Sequence, residues 1–480
     1  MSTATQDIVQ KLWNLCNVLR DAGITYQQYV TELTFLLFLK MAKETSQEKQ
    51  LPAGHRWDDL REQDGADQLT FYRGLLVHLG THGSAQVQAI FRNASTALKE
   101  PRHMRTLVDA IDRLDWFEAR KEGLGDLYEG LLEKNASEVK SGAGQYFTPR
   151  PLIDCMVARL QPRPREVIQD PAAGTGGFLV AAHRWMQAKY DDFFDLGEKE
   201  QQFQRRDAIV AMELVEDVQR LLRMNLLLHD IEGRVYLGDT LSSEGTKLPL
   251  ADVILTNPPF GTKKGGGGPS RDDFKYPTAN KQLAFLQHIY RGLKPGGRAG
   301  VVLPDNVLFE DNTGRLIRTD LMEKCDLHTI LRLPTGIFYA QGVKTNVLFF
   351  TRGASDKGNT RNVWIYDMRS NMPNFGKRTP FTCEYFRDFE ESYGDDPFGK
   401  NKRKDQGEVG RWRCFTREAI AKRGDNLDIS WLKDESAGNS DEVGDPEEIS
   451  AQILALLRAA TEEIEALQTE LVAVDSEVGS

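Results

Sequence analysis

The stretch Ala251-Asp252-Val253-Ile254-Leu255-Thr256-Asn257-Pro258-Pro259-Phe260 decides how this chain folds. Val253 to Leu255 is short, apolar, partly β-branched and bounded by breakers, the pattern of a buried strand in a parallel sheet. Pro258 and Pro259 carry no backbone donor and cannot extend a strand, so the chain leaves the sheet there. Asn257 therefore stands at a strand's carboxyl end, where open α/β sheets bind their ligands. Its amide oxygen, the constrained carbonyls and the flat ring of Phe260 suit a planar base held through an exocyclic amine. Taken alone, the four residues are better explained as a proline turn and a core phenylalanine. The rest of the chain has to decide.

Upstream, Val167 to Gln169 reads as a strand that ends at Asp170-Pro171-Ala172-Ala173-Gly174-Thr175-Gly176-Gly177, with a helix from Phe178 to about Gln187. A glycine-rich turn from strand to helix lets a ligand approach the backbone. The dinucleotide fingerprint G-x-G-x-x-G is not met, since Leu179 stands where its third glycine would be, and no G-K-[ST] marks a P-loop. A strand at Ala208 to Met212 ends at Glu213, placed to accept both hydroxyls of a ribose. A helix from Val215 to His229 follows, then a strand Arg234 to Leu237 leading to Gly238-Asp239-Thr240. Asp170, Glu213 and Asp239 could each be a cap or a solvated charge. Three carboxylates at successive strand ends, with Asn257 at the fourth, are better explained by one crevice.

Before this core, Gln145-Tyr146-Phe147-Thr148-Pro149-Arg150-Pro151 precedes an apolar helix, Leu152 to Leu160. Thr148 with Pro149 reads as a helix start, either a plain cap or an N-terminus whose amides and hydroxyls face a ligand. Beyond Phe260, residues 261–271 (GTKKGGGGPSR) read as a mobile loop whose Lys263, Lys264 and Arg271 either clamp phosphate or remain solvated. The alternation continues through a helix Lys281 to Gly292 and a turn Lys294-Pro295-Gly296-Gly297. Strands follow at Ala299 to Leu303, Leu327 to Leu333, Asn346 to Phe350 and Asn362 to Tyr366.

The outer regions differ in kind. Helical spacing runs from Gln6 to Arg20, from Thr25 through Leu37, and in patches at Leu69 to His78, Val87 to Leu98 and His103 to Ile111, with no alternating strand before residue 140. This predicts a separate helical domain, read as structural or interacting. Lys134 to Gly144 reads as a linker. Asp388 to Trp412 is charged and low in apolar residues, with the basic run Lys400 to Lys404 read as a solvated loop, and Ser436 to Glu448 reads as an acidic linker. From Ile453 to Val474 apolar residues fall at four- and three-residue steps, a heptad seam for a partner or an amphipathic helix folded back on its own domain.

With 480 residues the chain is long enough for more than one domain. A net charge of -10 argues against a protein that coats nucleic acid unaided, though it allows a local basic surface or a partner that supplies one. The five cysteines are scattered and form no C-x-x-C, so neither a metal site nor a disulfide framework is expected. No signal or membrane segment is recognised, and a reducing cytoplasm is the expected compartment.

Jointly, G-Q-Y-F-T-P-R at 144–150, D-P-A-A-G-T-G-G-F at 170–178, Glu213, G-D-T at 238–240 and N-P-P-F at 257–260 resemble the amino-methyltransferases of DNA. More closely, the chain is similar to the modification (M) subunit of type I restriction-modification systems. R-M-N-L-L-L-H at 223–229, F-L-Q-H-I at 285–289, L-P-D-N-V-L-F at 303–309, L-P-T-G-I-F at 333–338 and G-V-K-T-N-V-L-F-F at 342–350 extend the likeness. The resemblance implies an α/β fold, a Rossmann-like S-adenosylmethionine-dependent methyltransferase core over 141–385. It would stand between an N-terminal all-helical domain (1–140) and a C-terminal region (386–480) with a helical tail at 450–475.

It further implies that S-adenosylmethionine is held by Gln145, Tyr146, Phe147, Thr148, Pro149, Arg150, Asp170, Gly174, Thr175 and Gly176, with Glu213 on the ribose and Asp239 on the adenine amine. Asn257, Pro258, Pro259 and Phe260 would take a flipped target adenine and methylate its N6. The implied partners are DNA, a specificity (S) subunit with two M per S, and a restriction (R) subunit. No insertion suited to reading a DNA sequence follows N-P-P-F, which agrees with a separate S subunit. N-P-P-[FY] also serves RNA adenine and protein glutamine methyltransferases, and a scaffold subunit that has lost activity is the non-enzymatic alternative.

Overall fold

The computed structural model describes residues 8–14, 26–114, 116, 148–260, 269–338, 343–373, 375 and 379–432. Its strands are β1 (Ile168–Asp170), β2 (Ile209–Glu213), β3 (Arg234–Leu237), β4 (Ala251–Thr256), β5 (Leu293–Pro304), β6 (Cys325–Arg332), β7 (Thr345–Arg352), β8 (Asn362–Asp367) and β9 (Trp412–Thr416). The principal helices are α1 (Tyr26–Glu44), α2 (Gly65–Leu79), α3 (Ala85–Phe91), α4 (Pro101–Asp112), α5 (Arg150–Leu160), α6 (Gly177–Lys189), α7 (Glu198–Arg206), α8 (Glu216–Leu228) and α9 (Lys281–Gly292). No helix among the described residues is long and apolar enough to cross a membrane. The heptad seam, both linkers, Gln145 to Phe147, Lys263 and Lys264 lie outside the described residues.

The chain divides into two compact units. The first takes Met1–Gly144, Ala173–Val180 and Leu196–Leu237. α1 is buried all round from Glu32 to Ala42 and the other N-terminal helices pack apolar residues against it, Leu76, Ile90, Phe91 and Val108 among them; Met224 and Leu227 of α8 join the same core. Polar bonds reinforce the join: Gln86 Nε2 donates to the Ile231 carbonyl at 3.1 Å. The N-terminal helices thus support the helix that follows Glu213. As the periodicity predicts, no strand occurs among described residues 8–116, although α3 ends at Phe91 rather than running on to Leu98. Within this unit β2 and β3 pair in parallel, Glu213 opposite Leu237.

The second unit takes Gln145–Ala172, Ala181–Asp195 and Gly238–Ser480. Its strands lie in the order β1-β4-β5-β7-β6-β8-β9. β1, β4 and β5 are parallel, β7 runs antiparallel between β5 and β6, β8 is parallel to β6 and β9 antiparallel to β8. The apolar runs of β4 and β7 are buried almost throughout, as two-sided coverage requires. A parallel return needs a crossover of a dozen or more residues, usually a helix, whereas residues 333–344 supply none among those described, and β7 comes back antiparallel. This is a Rossmann-like α/β arrangement.

Two expectations need correction. The turn at Lys294 to Gly297 is a bulge taken into β5. The register with β4 shifts between Ala251 and Val253, Gly296 has φ +81°, and a Cβ on Gly297 would come within 2.9 Å of the Lys294 carbonyl. Within the charged stretch from Asp388 to Trp412, Lys400, Lys402 and Lys404 are exposed loop residues as read, but the stretch holds more core than its composition suggests. It buries Phe389, Tyr393 and Trp412, with the Arg403 guanidinium 4.7 Å from the Tyr393 ring and 5.4 Å from that of Trp412. Charge counts missed it because arginine covers aromatic faces while carrying its charge.

Arg298 of β5 anchors α5. Its Nε donates to the Leu160 carbonyl at 2.6 Å and Nη2 to the Gln161 carbonyl at 2.7 Å, while Nη1 pairs with Glu166 at 2.8 Å. Helix C-termini leave carbonyls without intrahelical partners. A buried guanidinium satisfies two of them here and is itself neutralised.

Candidate active site

In the first unit the glycine turn and the end of β2 are joined through the backbone. The Ala173 amide donates to the Met212 carbonyl at 3.0 Å, and the Gly174 amide donates to Glu213 Oε2 at 3.0 Å. The Val215 amide donates to Glu213 Oε1 at 3.0 Å, so each carboxylate oxygen already accepts one bond and keeps lone-pair capacity for another. Burial raises the Glu213 carboxyl above its ordinary range, and backbone hydrogen bonds from Val215, Gly174 and Leu214 partly offset this.

Gly174 and Gly176 adopt φ +53° and +87°. Space above Gly174 is open, whereas a Cβ on Gly176 would lie 2.5 Å from Leu222 Cδ1. The first glycine leaves room for a ligand; the second lets α8 pack. Asn225, buried on α8, donates to the Thr175 carbonyl at 3.0 Å and holds the turn. A polar residue between Met224 and Leu226 was the available signal for it.

In the second unit β1 and β4 lie side by side, Gln169 opposite Ile254, so Asp170 and Asn257 leave the same edge of adjacent parallel strands. Asp170 is buried and its Oδ1 accepts from the Ala172 amide at 3.0 Å. The Asp239 turn is braced in several places. Asp239 Oδ1 accepts from the Leu241 amide at 2.8 Å, and Thr240 Oγ1 donates to the Pro171 carbonyl at 2.5 Å. The structure thus ties the residues after Asp239 to the residue after Asp170.

Asn257 Nδ2 donates to Thr148 Oγ1 at 2.9 Å. That bond gives the donor end of the amide to Thr148 and makes Oδ1 its acceptor end. Thr148 is therefore not the helix cap that the sequence suggests. Pro149 takes the N-cap position of α5 without a side-chain cap, and the buried Thr148 hydroxyl serves Asn257 instead. Arg150 opens α5, 3.7 Å from Asp154. Pro258 is buried, Pro259 is exposed, and the half-buried Phe260 ring meets the Phe338 ring edge-on at 6.4 Å and 72°. Phe338 closes the L-P-T-G-I-F block.

Arg271 overturns an expectation. Its side chain is 6% exposed, and its guanidinium is committed to Asp273, the Thr240 carbonyl and His288. It is not a free cation awaiting phosphate. An arginine after a glycine-rich loop looks like surface in sequence, because beyond its near neighbour Asp273 its partners Thr240 and His288 come from other segments.

These donors and strand ends match a family pattern. The sequence profile of the N-6 DNA methylase family matches residues 119–440, and that of the HsdM N-terminal domain residues 8–114. This chain belongs to the N-6 DNA methylase family. It is 51% identical to the methylase subunit of the type I restriction enzyme StySPI of Salmonella potsdam, over 98% of this chain and 96% of that one. The EcoKI methylase subunit of Escherichia coli K12 gives the same identity and coverage. The crystal structure of the EcoKI M protein superposes with a TM-score of 0.59 at 48% identity, covering 97% of this chain and 96% of that one. A chain from a type I restriction-modification assembly, 25% identical, gives a TM-score of 0.68 over 98% and 99%. The chain is a type I methylase subunit with an N6-methyltransferase domain, and its enzyme class is adenine-specific DNA methyltransferase.

Proposed function

We propose that this chain methylates the N6 of an adenine flipped out of duplex DNA, using S-adenosylmethionine, within a complex whose S subunit selects the sequence. The observation that carries the reading is the Asn257–Thr148 bond at the end of β4, which presents an oriented amide acceptor beside Asp170. S-adenosylmethionine supplies an electrophilic methyl group. The donor set fits it: Glu213 is a buried carboxylate with spare acceptor capacity for two ribose hydroxyls, and the open face of Gly174 admits a ligand. Asp239 would accept from the cofactor's adenine amine. Thr148 to Arg150, Asp170 and Gly174 to Gly176 would surround the methionine part, together with Gln145, Tyr146 and Phe147.

The chain's own contribution is orientation and charge placement. An exocyclic amine is a weak nucleophile because its lone pair is delocalised into the ring. Asn257 Oδ1 and the Pro258 carbonyl, accepting its two hydrogens, favour a pyramidal nitrogen and stabilise the positive charge that develops there. Holding that nitrogen in line with the methyl group supplies the orientational advantage. A base inside a duplex is out of reach, so it must be flipped, and Phe260 returns part of the lost stacking. Lys263 and Lys264 remain our candidates for phosphate contacts.

The partners we propose are DNA, an S subunit in a complex of two M per S, and an R subunit in the full assembly, acting in the cytoplasm. The relatives are named as subunits of type I restriction enzymes, which supports this. The test is to co-express the chain with its neighbouring S subunit and map methylated adenines in host DNA. Methylated adenines at one defined sequence are expected. Their absence, with labelled cofactor transferred instead to RNA or protein, would replace the substrate.

A further inference from the structure

We infer that Arg271 is a positioning residue for the cofactor's adenine, acting through the turn that carries Asp239. The inference rests on the proposed cofactor role of Asp239. Arg271 Nη1 donates to the Thr240 carbonyl at 2.9 Å and to His288 Nδ1 at 3.2 Å, while Nε and Nη2 hold both oxygens of Asp273 at 2.6 and 2.8 Å. The Phe274 ring lies 4.6 Å from the guanidinium carbon. One residue earlier, the Ser270 amide donates to the Leu241 carbonyl at 2.9 Å. Residues 270–271 therefore hold two consecutive carbonyls of the turn just after Asp239. From the opposite direction, the Thr240 hydroxyl is tied to Pro171.

Several neighbours are shaped for this arrangement. A Cβ on Gly245 would collide with the Thr240 carbonyl oxygen and the Arg271 guanidinium, so only glycine admits their approach. Because Arg271 donates to Nδ1, His288 must carry its proton on Nε2 and stay neutral. Burial and the adjacent guanidinium hold its pKa down to about 3. Asp273 neutralises the arginine in bidentate geometry, which a lysine cannot reproduce. Withdrawing the guanidinium to reach a phosphate would strip the Thr240 carbonyl of this donor and leave the partly exposed Asp273 with Arg291.

The test uses the full chain co-expressed with its specificity subunit, comparing wild type, Arg271→Lys, Arg271→Gln and Asp239→Asn. S-adenosylmethionine affinity is measured by calorimetry, duplex DNA affinity across a salt series, and KM and kcat by methyl transfer. For Arg271→Lys the cofactor Kd should rise about tenfold, with KM for the cofactor rising more than kcat falls. Its DNA affinity and salt slope should match wild type. If Arg271→Gln does not fold, Arg271→Lys alone carries the test, since it keeps the charge beside Asp273.

A salt slope reduced by about one with the cofactor Kd unchanged would make Arg271 a DNA contact and overturn the inference. A lower melting temperature with unchanged Kd and KM would overturn it too, leaving a merely structural arginine. If Asp239→Asn weakens cofactor binding while Arg271→Lys does not, this inference alone fails. If Asp239→Asn has no effect either, the cofactor reading fails and takes the inference with it.

Discussion

At the end of β2 the Glu213 carboxylate is held by backbone amides, those of Gly174 and Val215 among them, whereas at the end of β4 the Asn257 amide is tied to a side chain, the Thr148 hydroxyl. The first arrangement depends on backbone shape, and so on glycines at positive φ. The second depends on the identity of two side chains more than a hundred positions apart. Changes at the first should act on folding and cofactor affinity together. Changes at the second should act on transfer and leave the cofactor bound.

The largest effect expected is that of Asn257→Ala, which removes the acceptor we propose for the developing charge. Labelled methyl transfer should fall by about 10²–10³-fold, with cofactor Kd held near wild type; loss of cofactor binding in a folded protein would show that the two ends are not separable. Next, Gly176→Ala forces a side chain onto φ +87° and against Leu222. It should cost roughly 2 kcal/mol of stability in denaturant titrations. In a double-mutant cycle with Leu222→Ala, which opens a cavity of its own, the two costs should be less than additive because the clash is relieved; additive costs would refute the clash.

A smaller effect, about tenfold in cofactor affinity, is expected as pH falls through the raised pKa of Glu213, because the ionised carboxylate is the better acceptor. The loss should begin above the ordinary glutamate range, and Glu213→Gln should flatten the profile. The same raised pKa works the other way on stability. Its contribution is present below the unfolded value and lost as pH rises through the folded one, so burial of the ionised group costs stability at neutral pH. A profile identical in Glu213→Gln would assign the titration to another group. The smallest effect should come from Thr148→Val, which frees the Asn257 amide to rotate. About fivefold in kcat is expected, near the worth of one hydrogen bond, and Thr148→Ser should restore it.

Much of the fold was legible because strand ends carry chemistry in short, contiguous words. Asp170, Glu213, Asp239 and Asn257 could all be placed from an apolar run that ends in a polar residue, with a proline or glycine beside three of them. Partnerships between distant words were not legible. Thr148 looked like a cap because Pro149 follows it, and nothing local announces that Asn257 will claim its hydroxyl. Arg271 looked like surface because Thr240 and His288 reach it only once the sheet and α9 form, and the nearby Asp273 by itself does not announce a buried pair. Phe338 sits in an apolar block with no periodic marker, and only the ring of Phe260 gives it a role.

The Arg298 anchor on α5 has a mechanical consequence. Thr148 lies just before this 11-residue helix and Arg298 grips the other end. At 1.5 Å per residue the helix is a lever about 16 Å long. A tilt of about 3° at the gripped end would sweep Thr148 through about 0.9 Å, enough to stretch its bond to Asn257 past hydrogen-bonding range. The aim of the amide thus depends in part on how firmly the guanidinium of Arg298 holds two carbonyls at the far end of a strut.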